Sequence, residues 1–152
     1  MGANMSDFQY TNGNMQPTIS TSPIIEFHSS AQWKAHFNAS KESNKLMVID
    51  FTATWCGPCR FMEPAFKEFA SKYGDVEFIK IDVDELMDVA QQFQIQAMPT
   101  FLLIKNGQVV DKVVGAKKDE LKQKIEKHRM NDPMNQAFNY EFRQQIVRPY
   151  YA

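Results

Sequence analysis

Leu46-Met47-Val48-Ile49-Asp50-Phe51-Thr52-Ala53-Thr54-Trp55-Cys56-Gly57-Pro58-Cys59 joins two patterns, and their meeting point decides the fold. Its first six residues form an apolar run broken only by Asp50, as expected of a central strand covered on both faces. From Pro58 the period changes. Phe61 or Met62, Ala65, Phe66, Phe69 and Tyr73 recur at helical spacing. Gly74 then stands where a left-handed glycine would close the helix. A buried strand thus feeds a helix, and the two cysteines sit at the junction.

Working outward, Ile24-Ile25-Glu26-Phe27 reads as a short strand. Ser29 or Ser30 caps the helix after it, with Trp33, Phe37 and Ala31 at its apolar positions. Residues 76–81 form the next strand, and Asp84 opens a short helix running to about Phe93. Two β-rich runs, 100–105 and 108–114, flank Asn106-Gly107, the strongest short hairpin signal because both central residues take positive φ. Residues 117 to about 128 close the domain as a helix with Leu121 and Ile125 inward. The order β-α-β-α-β-α-β-β-α predicts an α/β protein with a central mixed β-sheet flanked by helices on both faces. The expected domain spans residues 23–128. Pro64, inside the second helix, is expected to kink it.

The chain has 152 residues and a formal net charge of −1. Lys and Arg are spread from Lys34 onward, so no basic face marks a nucleic-acid interface. No apolar run approaches membrane-spanning length. The first residues carry neither a cationic segment nor a hydrophobic stretch of the secretory kind, so a reducing, cytoplasmic compartment is expected. There are two cysteines, separated by two residues. A structural disulfide framework would use more of them and close longer loops. Structural zinc takes four ligands, and His28, His36 and His128 are too scattered to complete a set. A redox pair is the reading that remains.

At the junction, Cys56 meets the unpaired N–H groups and the dipole of a helix N-terminus, which favour an anion and lower a thiol pKa. Cys59, one turn on, reaches Cys56 but is expected to be more buried. Cys56 would attack a target disulfide and Cys59 would resolve the mixed disulfide. Gly57 and Pro58 constrain the loop and are expected to tune its reduction potential. Asp50 lies on the strand feeding this loop. If buried, its carboxyl is raised by desolvation and suits a base that takes the Cys59 proton; if at a strand end, it is simply solvated. Lys80, on the neighbouring strand, is a candidate partner for it. Pro99 opens a strand after Met98, a place that tolerates proline in either isomer. A cis Met98-Pro99 bond would leave the Met98 backbone free to bind an extended substrate. Trp55 is a packed aromatic or part of a docking surface.

Taken together, residues 48–60 resemble the active-site strand and loop of the thioredoxin family. Ala97-Met98-Pro99-Thr100-Phe101 looks like that family's cis-proline segment, and Val114-Gly115-Ala116 like its last-strand glycine. The resemblance spans about residues 24–128 and is nearest plant h-type thioredoxins with an N-terminal extension. It implies a thioredoxin fold, Cys56 as nucleophile, Cys59 as resolving thiol, Asp50 as an aid to Cys59 deprotonation, and a cis Pro99. It places Gly115 with Trp55, Met98 and Pro99 in the substrate-binding surface. It further implies a monomer with no bound cofactor, only a reversible Cys56–Cys59 disulfide. Electrons would come from NADPH through thioredoxin reductase, or from a glutaredoxin, and go to protein disulfides. The alternative of another class is a binding or chaperone module that holds partners through the apolar surface around Trp55 and Pro99.

Residues 1–22, rich in Asn, Ser, Thr, Gln and Gly and without Lys or Arg, have the composition of a disordered arm. Met1-Gly2-Ala3-Asn4-Met5-Ser6 fits N-myristoylation at Gly2. With no second signal, weak peripheral membrane contact is the most such a lipid would give. In residues 129–152, Phe138, Phe142 and Ile146 recur every four residues before Pro149. A loosely ordered tail and a short amphipathic helix are both compatible with that pattern.

Overall fold

The computed structural model describes residues 8–11, 14–17 and 24–129. Strands β1 (Phe8–Thr11) and β2 (Asn14–Pro17) pair antiparallel, with Phe8 opposite Pro17. They form a two-stranded sheet of their own, inside the segment whose composition predicted an arm. The remainder follows as β3 (Ile24–Glu26), α1 (Ser30–Ser40), β4 (Met47–Thr52), α2 (Gly57–Lys72), β5 (Glu77–Asp82), α3 (Met87–Gln92), β6 (Thr100–Lys105), β7 (Gln108–Val114) and α4 (Lys118–His128). The five-stranded sheet has the order β3-β5-β4-β6-β7. β3, β5 and β4 run parallel, and β6 and β7 join antiparallel. The predicted mixed sheet with helices on both faces is present.

β4 is central, and all six of its residues are buried because both faces are covered. Its alternation sorts the core into two layers. Val48 packs with Met62, Phe66 and Phe69 of α2, Phe78 of β5, Phe101 and Leu103 of β6, and Leu121 and Ile125 of α4. Met47, Ile49 and Phe51 pack on the other face with Trp33 of α1, Ile79 and Ile81 of β5, and Val89 of α3. Each layer has an aromatic centre: Phe66 lies edge-on to Phe78 at 5.3 Å, and Trp33 stacks on Phe37 at 5.5 Å. Asp50 and Thr52 share the α2 side of β4 with Val48, so the carboxylate points beneath the helix that carries the cysteines.

The helix ends show where local reading needs tertiary context. Ser29 caps α1, its hydroxyl accepting the Gln32 N–H at 3.3 Å. α2 runs through Pro64 and stops at Tyr73 without a left-handed glycine: among the described residues the positive-φ glycines are Gly107 and Gly115, not Gly74. Tyr73 is buried and its hydroxyl donates to Glu126 of α4 at 2.6 Å. The chain therefore turns on that anchored ring, with the Val76 N–H closing onto the Tyr73 carbonyl at 3.0 Å. α3 begins at Met87, not Asp84, because Asp82 accepts the N–H groups of Asp84 and Glu85 and holds them in a turn. The β6–β7 turn matches expectation: Asn106 and Gly107 have φ of 53° and 76°. The periodic residues 138, 142 and 146 lie outside the described residues.

Candidate active site

The site forms where β4 ends and α2 begins. Cys56 is the α2 N-cap, with extended φ and ψ of −90° and 111°. Its N–H donates to the Ala53 carbonyl at 3.2 Å, and its Sγ accepts the Cys59 N–H at 3.2 Å. Pro58, in the first turn, supplies no N–H where none is needed. Cys56 and Cys59 are disulfide-bonded, with their Cα atoms 5.3 Å apart. Both cysteines are buried, Cys59 (1% exposed) slightly more than Cys56 (5%). Ala53 packs beside them, and half-buried Val83 and Met98 close the sides.

A second loop meets the disulfide from β6. The Met98–Pro99 peptide is cis, and the Met98 carbonyl oxygen lies 3.5 Å from Cys56 Sγ. The loop is held from two sides. The Gly115 N–H donates to the Pro99 carbonyl at 2.8 Å, and the Thr100 hydroxyl donates to the Ala97 carbonyl at 2.6 Å. Gly115 has φ of 100°, and a Cβ there would meet only the Lys117 side chain at an ordinary 4.0 Å, so backbone conformation, not crowding, calls for glycine. Trp55 is 64% exposed, and its indole N–H donates to Asp84 at 2.8 Å. Phe61, in the first turns of α2, is 73% exposed.

Asp50 is 2% exposed, and its Oδ1 is buried without a hydrogen-bond partner. Desolvation pushes its carboxyl up to about 7; Lys80 pulls it down and Glu63 pushes it up. Lys80 lies on the neighbouring strand, as expected, and is the register partner of Asp50, but its ammonium pairs with Glu63 of α2 at 3.9 Å rather than with Asp50. Sequence reading missed Asp84 as the anchor of Trp55, and it missed Glu63. The first required knowing which loop lies over the indole. The second was detectable, since Glu63 follows Cys59 by four residues on the same helix. Gly2 lies outside the described residues. No cluster of His, Cys, Asp or Glu among the described residues is arranged to hold a metal ion.

Two thiols that close on each other, one more accessible than the other, at a helix N-terminus beside a cis-proline loop, make a two-electron carrier of the dithiol–disulfide oxidoreductase class. Comparison with known proteins agrees. The thioredoxin family pattern matches residues 24–127. The chain is 56% identical over 108 residues to thioredoxin H2 of Arabidopsis thaliana, covering 71% of this chain and 81% of that protein. It is 49% identical over 130 residues to thioredoxin H7 of the same plant, covering 86% and 100%. The crystal structure of thioredoxin NaTrxh from Nicotiana alata superposes with a TM-score of 0.70 at 65% identity, covering 71% of this chain and 94% of that one. The chain belongs to the thioredoxin family. The curated relatives it matches here are h-type thioredoxins of plants, and it is a protein-disulfide reductase that works through the reversible Cys56–Cys59 disulfide with no bound cofactor.

Proposed function

We propose that Cys56 is the attacking thiol, Cys59 the resolving thiol and Asp50 the base of the resolving step. The observation that carries this reading is the junction itself. On reduction, the Cys56 sulfur keeps the N-cap position at which the Cys59 N–H and the helix dipole stabilise a thiolate. That thiolate attacks one sulfur of a target disulfide and releases the other as a thiolate, leaving a mixed disulfide on Cys56. Asp50 takes the proton from Cys59, whose sulfur then bonds to Cys56 and displaces the second target thiolate. The target gains two electrons, and the protein is left as the disulfide described above.

Trp55, Met98, Pro99 and Gly115 form the surface on which an extended target segment docks. Gly57 and Pro58 set the loop geometry and hence the reduction potential. Electrons return from NADPH through a thioredoxin reductase, or from a glutaredoxin. The protein acts as a cytoplasmic monomer, with a fraction held weakly at membranes by a myristoyl group on Gly2. The exposed Trp55 and Phe61 also favour a second reading, in which apolar holding of partners matters as much as exchange.

Replacing Cys59→Ser removes the resolving step, so the variant should accumulate target proteins bound through Cys56 and release them with dithiothreitol. If no trapped proteins are recovered, the exchange reading fails. A Cys56→Ser, Cys59→Ser variant that keeps full activity in cells would shift the weight to holding.

A further inference from the structure

The Cys59 proton has to leave a nearly closed site, and the charges above Asp50 bear on how it does so. Glu63 lies one turn beyond Cys59 on the same side of α2, and side chains on a helix lean toward its N-terminus. Lys80 stands opposite Asp50 in the β4–β5 register. Both face α2, since their strand neighbours Val48 and Phe78 pack against Met62 and Phe66. Two carboxylates therefore compete for one ammonium. Glu63 holds it at 3.9 Å, while Asp50 Oδ1 stays unpartnered. Glu63 and Lys80 both line a cleft of about 240 Å³, with Thr52, two residues on from Asp50, at its β4 side. Its charged lining is Glu26 from β3, Arg60 and Glu63 from α2, and Lys80 and Asp82 from β5. It is polar and large enough to admit water.

We propose that Glu63 is a positioning residue for the resolving step: by holding the Lys80 ammonium over the cleft, it leaves the Asp50 carboxylate unpaired, able to accept the Cys59 proton and pass it to water. This rests on Asp50 acting as the base. A carboxylate paired with Lys80 would be a stabilised anion and a weaker base. The step balances. Cys59 S–H gives its proton to Asp50, and its electron pair forms the bond to Cys56 Sγ. The bond from Cys56 to the target sulfur breaks with the target leaving as thiolate, and the Asp50 proton passes to water in the cleft. The charges lining the cleft are three carboxylates, Glu26, Glu63 and Asp82, against two cations, Arg60 and Lys80; of these, Lys80 and Glu63 act on Asp50.

The test is a carboxyl ¹³C titration of Asp50 in the reduced protein, alongside the pH profile of insulin-disulfide reduction. Glu63→Gln should lower the Asp50 midpoint by about half a pH unit or more, by removing a negative charge and releasing Lys80 to Asp50. The limb of the activity profile that reports Asp50 should move with it. In a Lys80→Met background the same Glu63→Gln change should lose more than half of its effect. An unchanged midpoint in Glu63→Gln overturns the proposal, and so does an equal shift in both backgrounds, since Lys80 would then play no part. Asp50→Asn separates this from the underlying reading. If it leaves the reduction rate and its pH profile unaltered, Asp50 is not the base, whatever the titration of the Glu63 variants shows.

Discussion

Asp50 occupies a strand position whose neighbours on both sides are apolar, and its charge has little support there. Its carboxyl is raised from 3.8 to about 7, mainly by desolvation. The sign of the consequence follows from proton linkage. Below about pH 4 both the folded and the unfolded chain hold this proton, and its burial costs nothing extra. Between about pH 4 and pH 7 the unfolded chain releases its proton first, so stability falls as pH rises. Above that window the full cost applies, on the order of 4 kcal/mol at 1.36 kcal/mol per unit. Asp50→Asn keeps the shape and removes the titration. In the oxidised protein it should therefore unfold at higher denaturant than wild type at pH 8, with the difference shrinking as the pH is taken down to 4. A difference that does not vary with pH would mean that Asp50 keeps an ordinary carboxyl in the fold. The same raised carboxyl is what the proposed base would need near neutral pH.

Helix α2 shows at the scale of an element how the same residue type serves two ends. Phe66 is buried between β5 and β6, in contact with Phe78 and Phe101, whereas Phe61, two residues after Cys59, stands exposed. Phe66→Ala should lower the unfolding free energy by roughly 3–5 kcal/mol in denaturant melts. Phe61→Ala should change it by no more than about 0.5 kcal/mol, as surface changes do. Similar losses from both would contradict the packing described here. Such elements were legible in the sequence because burial imposes a period: the apolar run of β4 and the stripe of α2 stand out without any partner in view. So did the hairpin at Asn106 and the thiol pair, whose chemistry is local. The stop of α2 was not legible, because it depends on Tyr73 reaching Glu126 across 53 residues. Nor was the start of α3, where Asp82 ties up the N–H groups that sequence assigned to a helix beginning at Asp84. Within the site, Cys56, Cys59 and Pro99 could be named from spacing and resemblance. Asp84 under the indole and Glu63 against Lys80 are contacts that only the folded chain brings together.

For the whole molecule, the redox chemistry and the place where it happens are separable. The disulfide, the cis-proline loop and buried Asp50 all lie within residues 24–129, and no helix among the described residues is long and apolar enough to cross a membrane. The proposed membrane contact would rest instead on Gly2, which lies outside the described residues. Lipid on that residue adds buried hydrocarbon but no charge, because residues 1–22 hold no Lys or Arg to engage anionic headgroups. A single myristoyl chain binds bilayers with a constant on the order of 10⁴ M⁻¹, so about half of the acylated protein should sediment with vesicles at roughly 0.1 mM accessible lipid. Anionic lipid should improve this little. Gly2→Ala, produced alongside an N-myristoyltransferase in the same way as wild type, should stay in the supernatant. Both proteins should reduce insulin disulfides at the same rate in free solution, since Cys56 and Cys59 lie within residues 24–129. Equal sedimentation of the two would remove the lipid from the account and leave the reductase chemistry standing. A slower rate for Gly2→Ala in free solution would show instead that the arm reaches the catalytic domain.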